Sequence, residues 1–210
     1  MRESKRQDPS AAIDEVLAHP MVARLTRSLA QREPRQFEAE PGARRAAVAL
    51  ILRVNAAGVL ELLMIRRAVY EGDPWSGHIA LPGGREEPAD RSLEETVIRE
   101  TREETALDLA RDARVFGRLD DLGPRSAPLP PITITPFLVA YGAPGIIALS
   151  PEVAEAFWVS VDALRDPRAS RQIVMELTGG TRSVSSFEHE GRIIWGLTER
   201  ILRQFLSLAE

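Results

Sequence analysis

The segment 81–107, LPGGREEPADRSLEETVIRETREETAL, constrains this chain more than any other. It reads as a strand end, a glycine turn, a short acidic loop and a helix that starts near Asp90 or Ser92. Ser92 with Glu95 three residues on is a capping-box pattern, in which a hydroxyl and a carboxylate satisfy orphan backbone amides. Leu93, Val97 and Thr101 recur at helical spacing and are expected to face a core. Glu100, Glu103 and Glu104 then project from one side of the same helix.

Three carboxylates on one side need compensation. Two unit charges about 4 Å apart repel by roughly 1 kcal/mol in water and roughly 4 kcal/mol at an effective dielectric near 20. A cation at that point offsets the repulsion. Carboxylates are hard oxygen donors suited to magnesium or manganese, and an ion held by few protein ligands keeps positions for phosphate and water. Gly83 and Gly84 stand just ahead, where backbone without a Cβ can approach an ion or phosphate closely. Arg-Glu-x-x-Glu-Glu taken alone reads equally as a solvated helix face, with Glu95–Arg99 and Arg99–Glu103 pairs of roughly 0.2–0.5 kcal/mol each. The Pro-Gly-Gly turn and the acidic loop upstream favour the metal reading.

The 210 residues are most simply one domain, 45–210, behind a helical extension and linker, 1–44. A hydrophobic content of 44% is enough for a real core, and a net charge of −4 argues against sequence-independent nucleic-acid binding, which needs a basic footprint. With no cysteine there is no disulfide framework, thiol nucleophile or thiolate metal site. The polar start, MRESKRQDPS, lacks the apolar stretch of a signal peptide, and no run approaches the roughly 18 apolar residues of a membrane span. A cytoplasmic enzyme without membrane attachment is the expectation.

Residues 1–9 read as disordered. Residues 10–32 carry Ile13, Val16, Leu17, Val22, Leu25 and Leu29 at amphipathic spacing, with a break near His19-Pro20. This piece is expected to pack on the domain or on a partner subunit, as in a homodimer. Residues 34–42 read as a linker. Residues 46–54 and 60–66 read as a strand hairpin around a turn at 55–58. After the acidic helix come a strand and turn at 113–122, a proline-rich flap or turn at 124–131, a strand at 132–141 and a loop at 143–149. A short strand at 157–161 and a short helix at 162–165 follow. Residues 168–178 and 183–194 read as a strand pair over the pocket, and 193–208 as a closing amphipathic helix.

From Gly84 through Arg99, Glu100, Glu103 and Glu104 to Leu107, the chain resembles the Nudix hydrolases. The Pro-Gly-Gly turn, the one-residue-longer loop with Asp90, and residues 77–81 (GHIAL) resemble the coenzyme A pyrophosphatase branch. Residues 132–141, 150–161 and 193–202 are similar to its later segments, so the resemblance runs from about Ala46 onward. It implies an α+β Nudix fold, an α/β/α sandwich around a mixed sheet. It also implies metal-dependent hydrolysis of a pyrophosphate bond in a small-molecule nucleotide. Coenzyme A is the leading substrate, with ADP-ribose and dinucleotides next. Glu100, Glu103, Glu104 and the Gly83 carbonyl would hold magnesium or manganese. Arg99 would orient the loop and glutamates, and Glu103 or Glu152 would activate water. Arg66, Arg67, His78 and Gly84 are the expected substrate contacts.

Two departures stand out. Ala106 occupies the usual glycine of the motif, so the helix is expected to end differently. Asp73 stands where the coenzyme A branch usually has a basic residue, an acid where a cation would meet a ligand phosphate. A non-catalytic nucleotide sensor on the same fold, or a structural domain with a charged helix, remain the readings from other classes.

Overall fold

The apolar run at 46–54 is strand β1 (Arg44–Val54), in a computed structural model that describes residues 9–37, 43–73, 75–123, 131–143, 146–177 and 180–210. Leu50 and Leu52 of β1 enter one apolar cluster, while Ala47, Ala49 and Ile51 enter another. A strand covered on both faces is apolar continuously rather than alternately. Each large aliphatic side chain so buried contributes roughly 1.5–3 kcal/mol. One edge of β1 runs parallel to β6 (Ile132–Tyr141), from Arg44 opposite Ile132 to Leu52 opposite Ala140. The other edge is divided. Its C-terminal half forms the expected hairpin with β2 (Leu60–Arg67), and its N-terminal half pairs with β4 (Gly83–Arg85).

Strands β3 (Ile79–Ala80) and β7 (Val153–Ser160) pair with β2, and β5 (Ala113–Arg118) pairs with β6, giving a seven-stranded mixed sheet. Helices α3 (Leu93–Thr105) and α4 (Leu109–Asp112) cover one face through Leu93, Val97 and Leu109, joined by Leu107 of the connection between them. The opposite face is covered by α1 (Pro9–Ala18), α2 (Pro20–Ala30) and α6 (Gly196–Leu208), with Val16, Val22, Leu25, Leu202 and Phe205 in its core. This is the expected α+β sandwich around a mixed sheet. The break between α1 and α2 falls at His19, whose Nδ1 accepts from the Met21 N–H at 3.3 Å, with Pro20 opening α2. Among the described residues no helix is long and apolar enough to cross a membrane.

The C-terminal third departs from the sequence reading. The short strand at 157–161 is the full-length β7, and α5 (Val161–Arg165) follows it directly. The pair at 168–178 and 183–194 is a three-stranded sheet of β8 (Ser170–Leu177), β9 (Gly180–His189) and β10 (Arg192–Trp195). Glu190 and Gly191, both at positive φ, turn the chain between β9 and β10. Ile193 and Ile194 therefore lie in β10, opposite Glu188 and Phe187, and the closing helix begins only at Gly196. β-Branched residues followed by tryptophan suit a strand, and a helical spacing that ran through them hid the boundary. Residues 1–8, 38–42, 74, 124–130, 144–145 and 178–179 lie outside the described residues. The readings of a disordered start, the end of the linker and the proline-rich flap therefore fall there.

Candidate active site

Helix α3 is held at both ends by local chemistry. Ser92 Oγ accepts from the Glu95 N–H at 3.2 Å, the first half of the expected box. The second half is displaced by one residue: Glu95 accepts from the Arg91 N–H at 2.8 Å and from Arg91 Nε at 2.7 Å. At the other end Ala106 adopts φ 60° and ψ 10°, with its N–H donating to Arg102 O. The helix thus closes in the left-handed conformation without glycine, where a different ending was expected.

Arg99 joins this helix to the acidic loop. Its Nε and Nη2 donate to the two oxygens of Asp90 at 3.0 and 2.9 Å, and Nη2 also donates to the Arg85 carbonyl at 3.0 Å. Nη1 donates to Glu100 at 3.0 Å and to Glu103 at 3.2 Å. The Arg99 guanidinium, followed by the Glu87 N–H, holds the Asp90 carboxyl well below the usual carboxylate range, and the Thr96 hydroxyl adds to this. Sequence reasoning singled out Arg99 for this orienting task but assigned no task to Asp90. An aspartate nine residues from an arginine shows its partner only when loop and helix are folded together.

The two glycines form the floor beneath the acids, and they are strand rather than turn. A Cβ at Gly83, which has φ 140°, would stand 2.1 Å from the Ala47 carbonyl oxygen. Only glycine lets β4 pair so closely with β1. A Cβ at Gly84 would stand 2.3–2.5 Å from the carboxylate atoms of Glu100, so that side chain lies directly over the Gly84 Cα. Glu104 is 4% exposed and accepts from the Gly83 N–H at 2.9 Å. Burial pushes its pKa up to about 8; the Gly83 N–H and Arg67 oppose that rise, while Glu100 and Glu152 add to it. Burial also raises Glu100, against the pull of Arg99.

Glu103 lies apart, 59% exposed and drawn to Arg99. Among the described residues no group of three or more His, Asp or Glu side chains is gathered closely enough to hold a metal ion as it stands. The three helix acids therefore do not meet at one point, although they share a side of α3: Arg99 pulls Glu103 outward. The donor chemistry still fits a hard divalent cation. Glu104 is a covered carboxylate bordered by Glu100 and Glu152, with a single backbone N–H as its hydrogen-bond donor among the described residues. That is an environment in which added positive charge stabilises the ionised form.

The remaining expected residues lie at the neighbouring ends of β2 and β7. The Nη2 of Arg67 donates to Asp73 at 3.1 Å, so Asp73 meets a cation of the chain itself. Arg66 Nε donates to Glu155 at 3.1 Å, and Arg192 Nε reaches the other oxygen of that carboxylate at 3.1 Å. Arg66 is thereby engaged with β7 and β10. His78 packs on Trp195 with ring centroids 4.7 Å apart, and burial lowers its pKa, with Asp73 opposing and Arg67 reinforcing. Glu152 is exposed on the turn before β7. The same turn meets α3, where the Ser150 N–H donates to the Glu104 carbonyl at 3.1 Å. Arg192 and Trp195 were missed: the first fell in the strand reading of 183–194 and the second in the closing-helix reading, and neither displays its contact with Glu155 or His78.

A family model described as NUDIX domain matches residues 43–177. The chain is 29% identical over 206 residues to the mouse mitochondrial coenzyme A diphosphatase NUDT8, covering 96% of this chain and 90% of that one. It is 29% identical over 178 residues to the Nudix hydrolase NudL of Yersinia enterocolitica, covering 84% of this chain and 86% of that one. A Schizosaccharomyces pombe protein is 33% identical over 120 residues, which are 55% of this chain and 36% of that protein. The crystal structure of a MutT/nudix family protein from Enterococcus faecalis superposes with a TM-score of 0.53 at 18% identity, covering 96% of this chain and 74% of that one. With its acidic helix laid over a glycine strand and the family model spanning the whole central sheet up to β8, the chain belongs to the Nudix family of pyrophosphohydrolases.

Proposed function

We propose that this enzyme hydrolyses the pyrophosphate link of coenzyme A or an acyl derivative, giving adenosine 3′,5′-bisphosphate and phosphopantetheine. The supporting observation is the pairing of the covered Glu104 carboxylate with the Gly83 N–H, beside Glu100. Similarity to a coenzyme A diphosphatase over nearly the whole chain supports the substrate class.

Glu100, Glu104 and the Gly83 carbonyl would hold magnesium or manganese. Such an ion supplies charge neutralisation at phosphate and lowers the pKa of a bound water. Arg99 fixes the distance between loop and helix and holds Glu100 in place. Arg67 presents positive charge beside Glu104, suited to a phosphate oxygen. Glu152 is the favoured proton acceptor from the attacking water. Its carboxylate has no hydrogen-bond or ion-pair partner among the described residues, whereas the Glu103 carboxylate is already engaged by Arg99. In-line attack on one phosphorus then expels the other phosphate as leaving group.

One observation favours a second reading. Asp73, hydrogen-bonded to Arg67, sets negative charge where a 3′-phosphate would seek a cation, which favours ADP-ribose or a dinucleotide. Incubation with magnesium and coenzyme A, dephospho-coenzyme A, ADP-ribose and dinucleotides, read by mass spectrometry, separates the two. Adenosine 3′,5′-bisphosphate as the dominant product supports the first reading; faster turnover of ADP-ribose replaces it with the second. Binding without turnover above a Glu104→Gln control makes the chain a nucleotide sensor.

A further inference from the structure

We propose that Tyr70 is a positioning residue for Glu152, acting through the backbone of the turn that carries it. This rests on the reading of Glu152 as the group that takes the proton from water. A carboxylate without hydrogen-bond or ion-pair partners among the described residues is aimed only by its backbone. That backbone is tied on two sides. Toward α3, the Ser150 N–H donates to the Glu104 carbonyl at 3.1 Å. Toward the loop between β2 and β3, the Ala68 N–H donates to the Glu152 carbonyl at 2.8 Å, and the Tyr70 hydroxyl donates to the Pro151 carbonyl at 2.9 Å.

The loop is built to hold that hydroxyl still. The Tyr70 N–H donates to Ser76 Oγ at 2.9 Å, and Ser76 Oγ donates back to the Tyr70 carbonyl at 2.7 Å. The Asp73 N–H donates to the same carbonyl at 3.3 Å, and the Asp73 carboxylate is anchored on Arg67. Tyr70 is 48% exposed, so it is no core residue. Its ordered contact is the bond to the turn, 81 residues away in sequence. The loop also links two of the groups whose charges act on Glu104: Arg67 through Asp73, and Glu152 through Tyr70 and Ala68.

The test is a double-mutant cycle between Tyr70→Phe and Glu152→Gln, measured with magnesium on coenzyme A and on ADP-ribose. Tyr70→Phe keeps the ring and removes one hydrogen bond. Its expected effect is a fall in kcat of about five-fold with KM within about two-fold, the scale of one net hydrogen bond. In the Glu152→Gln background the same change should cost nothing further. Ser76→Ala, which frees the Tyr70 backbone, should lower kcat in the same direction. Wild-type kcat in Tyr70→Phe, or a loss that adds in full to that of Glu152→Gln, overturns the proposal. If Glu152→Gln alone turns over at the wild-type rate, the base assignment fails, and the positioning role falls with it. Both outcomes leave the assignment of Glu100 and Glu104 untouched.

Discussion

The backbone N–H of Gly83 donates to the carboxylate of Glu104 at 2.9 Å, joining the glycine strand to the acidic helix across 21 residues. That bond decides what can be asked of the site. A covered carboxylate that borders two other acids gives up solvation, and one N–H returns only part of it.

Glu104→Gln is expected to lower turnover by orders of magnitude while leaving the fold intact, because an amide oxygen still accepts from Gly83. Thermal unfolding and kcat measured on one preparation check both halves. Near wild-type rates would remove Glu104 from the ligand set.

The same residue predicts a pH effect on the metal-free protein. An acid whose folded pKa is raised stabilises the fold below its unfolded value of 4.5 and loses that contribution as pH climbs through about 8. In chelator, the Tm of the wild type should therefore fall between pH 5 and 8 by more than that of Glu104→Gln. Magnesium at pH 8 should restore it, as binding to the native state does. Parallel Tm profiles for the two proteins would contradict the raised pKa.

Asp90→Asn removes the bidentate partner of Arg99. A loss of about 1.5–3 kcal/mol in urea unfolding at pH 7 is expected, the range for a hydrogen bond to a charged group. Asp90 is held below its ordinary pKa, so its contribution is present above about 3.8 and lost as pH falls from there. The gap between wild type and variant should narrow in acid; a gap that widened would refute the pairing.

Gly83→Ala and Gly84→Ala should fail differently. At Gly83 the added Cβ meets backbone at a positive φ, so destabilisation of roughly 2–4 kcal/mol is expected. At Gly84 it meets the Glu100 carboxylate, which can swing away. That variant should fold with near-normal stability and lose magnesium affinity in calorimetry. Equal unfolding midpoints for the two would show that the close approaches are not as described.

Ala106→Gly should stabilise the protein by roughly 0.5–1 kcal/mol, since the residue sits at φ 60° where a Cβ is strained. A lower urea midpoint in the variant would contradict this.

Much of the molecule is legible in one dimension wherever its cause is local. The Ser92 cap, the break at His19-Pro20 and the twofold burial of β1 follow from neighbours within a few residues, and sequence displays those directly. The limits of β10 were unreadable because Ile193, Ile194 and Trp195 suit a strand while also fitting the helical spacing that follows, so the strand and helix readings overlapped there. Only pairing with β9 makes them strand. Gly83 and Gly84 signalled close approach, but not that what approaches is β1 on one side and Glu100 on the other.

By itself the sequence determined which residue types stand on one helix face behind two glycines, and with them the family. Tertiary structure alone decided how the acids divide. Glu104 is buried on the Gly83 N–H, Glu100 lies over Gly84, and Glu103 is pulled outward by an arginine that also grips Asp90. It also decided that Asp73 pairs with Arg67 and that Tyr70 reaches the turn bearing Glu152. The reason is physical: burial, like-charge repulsion and hydrogen bonds act over a few ångströms of space, and only folding brings such distant residues within that range.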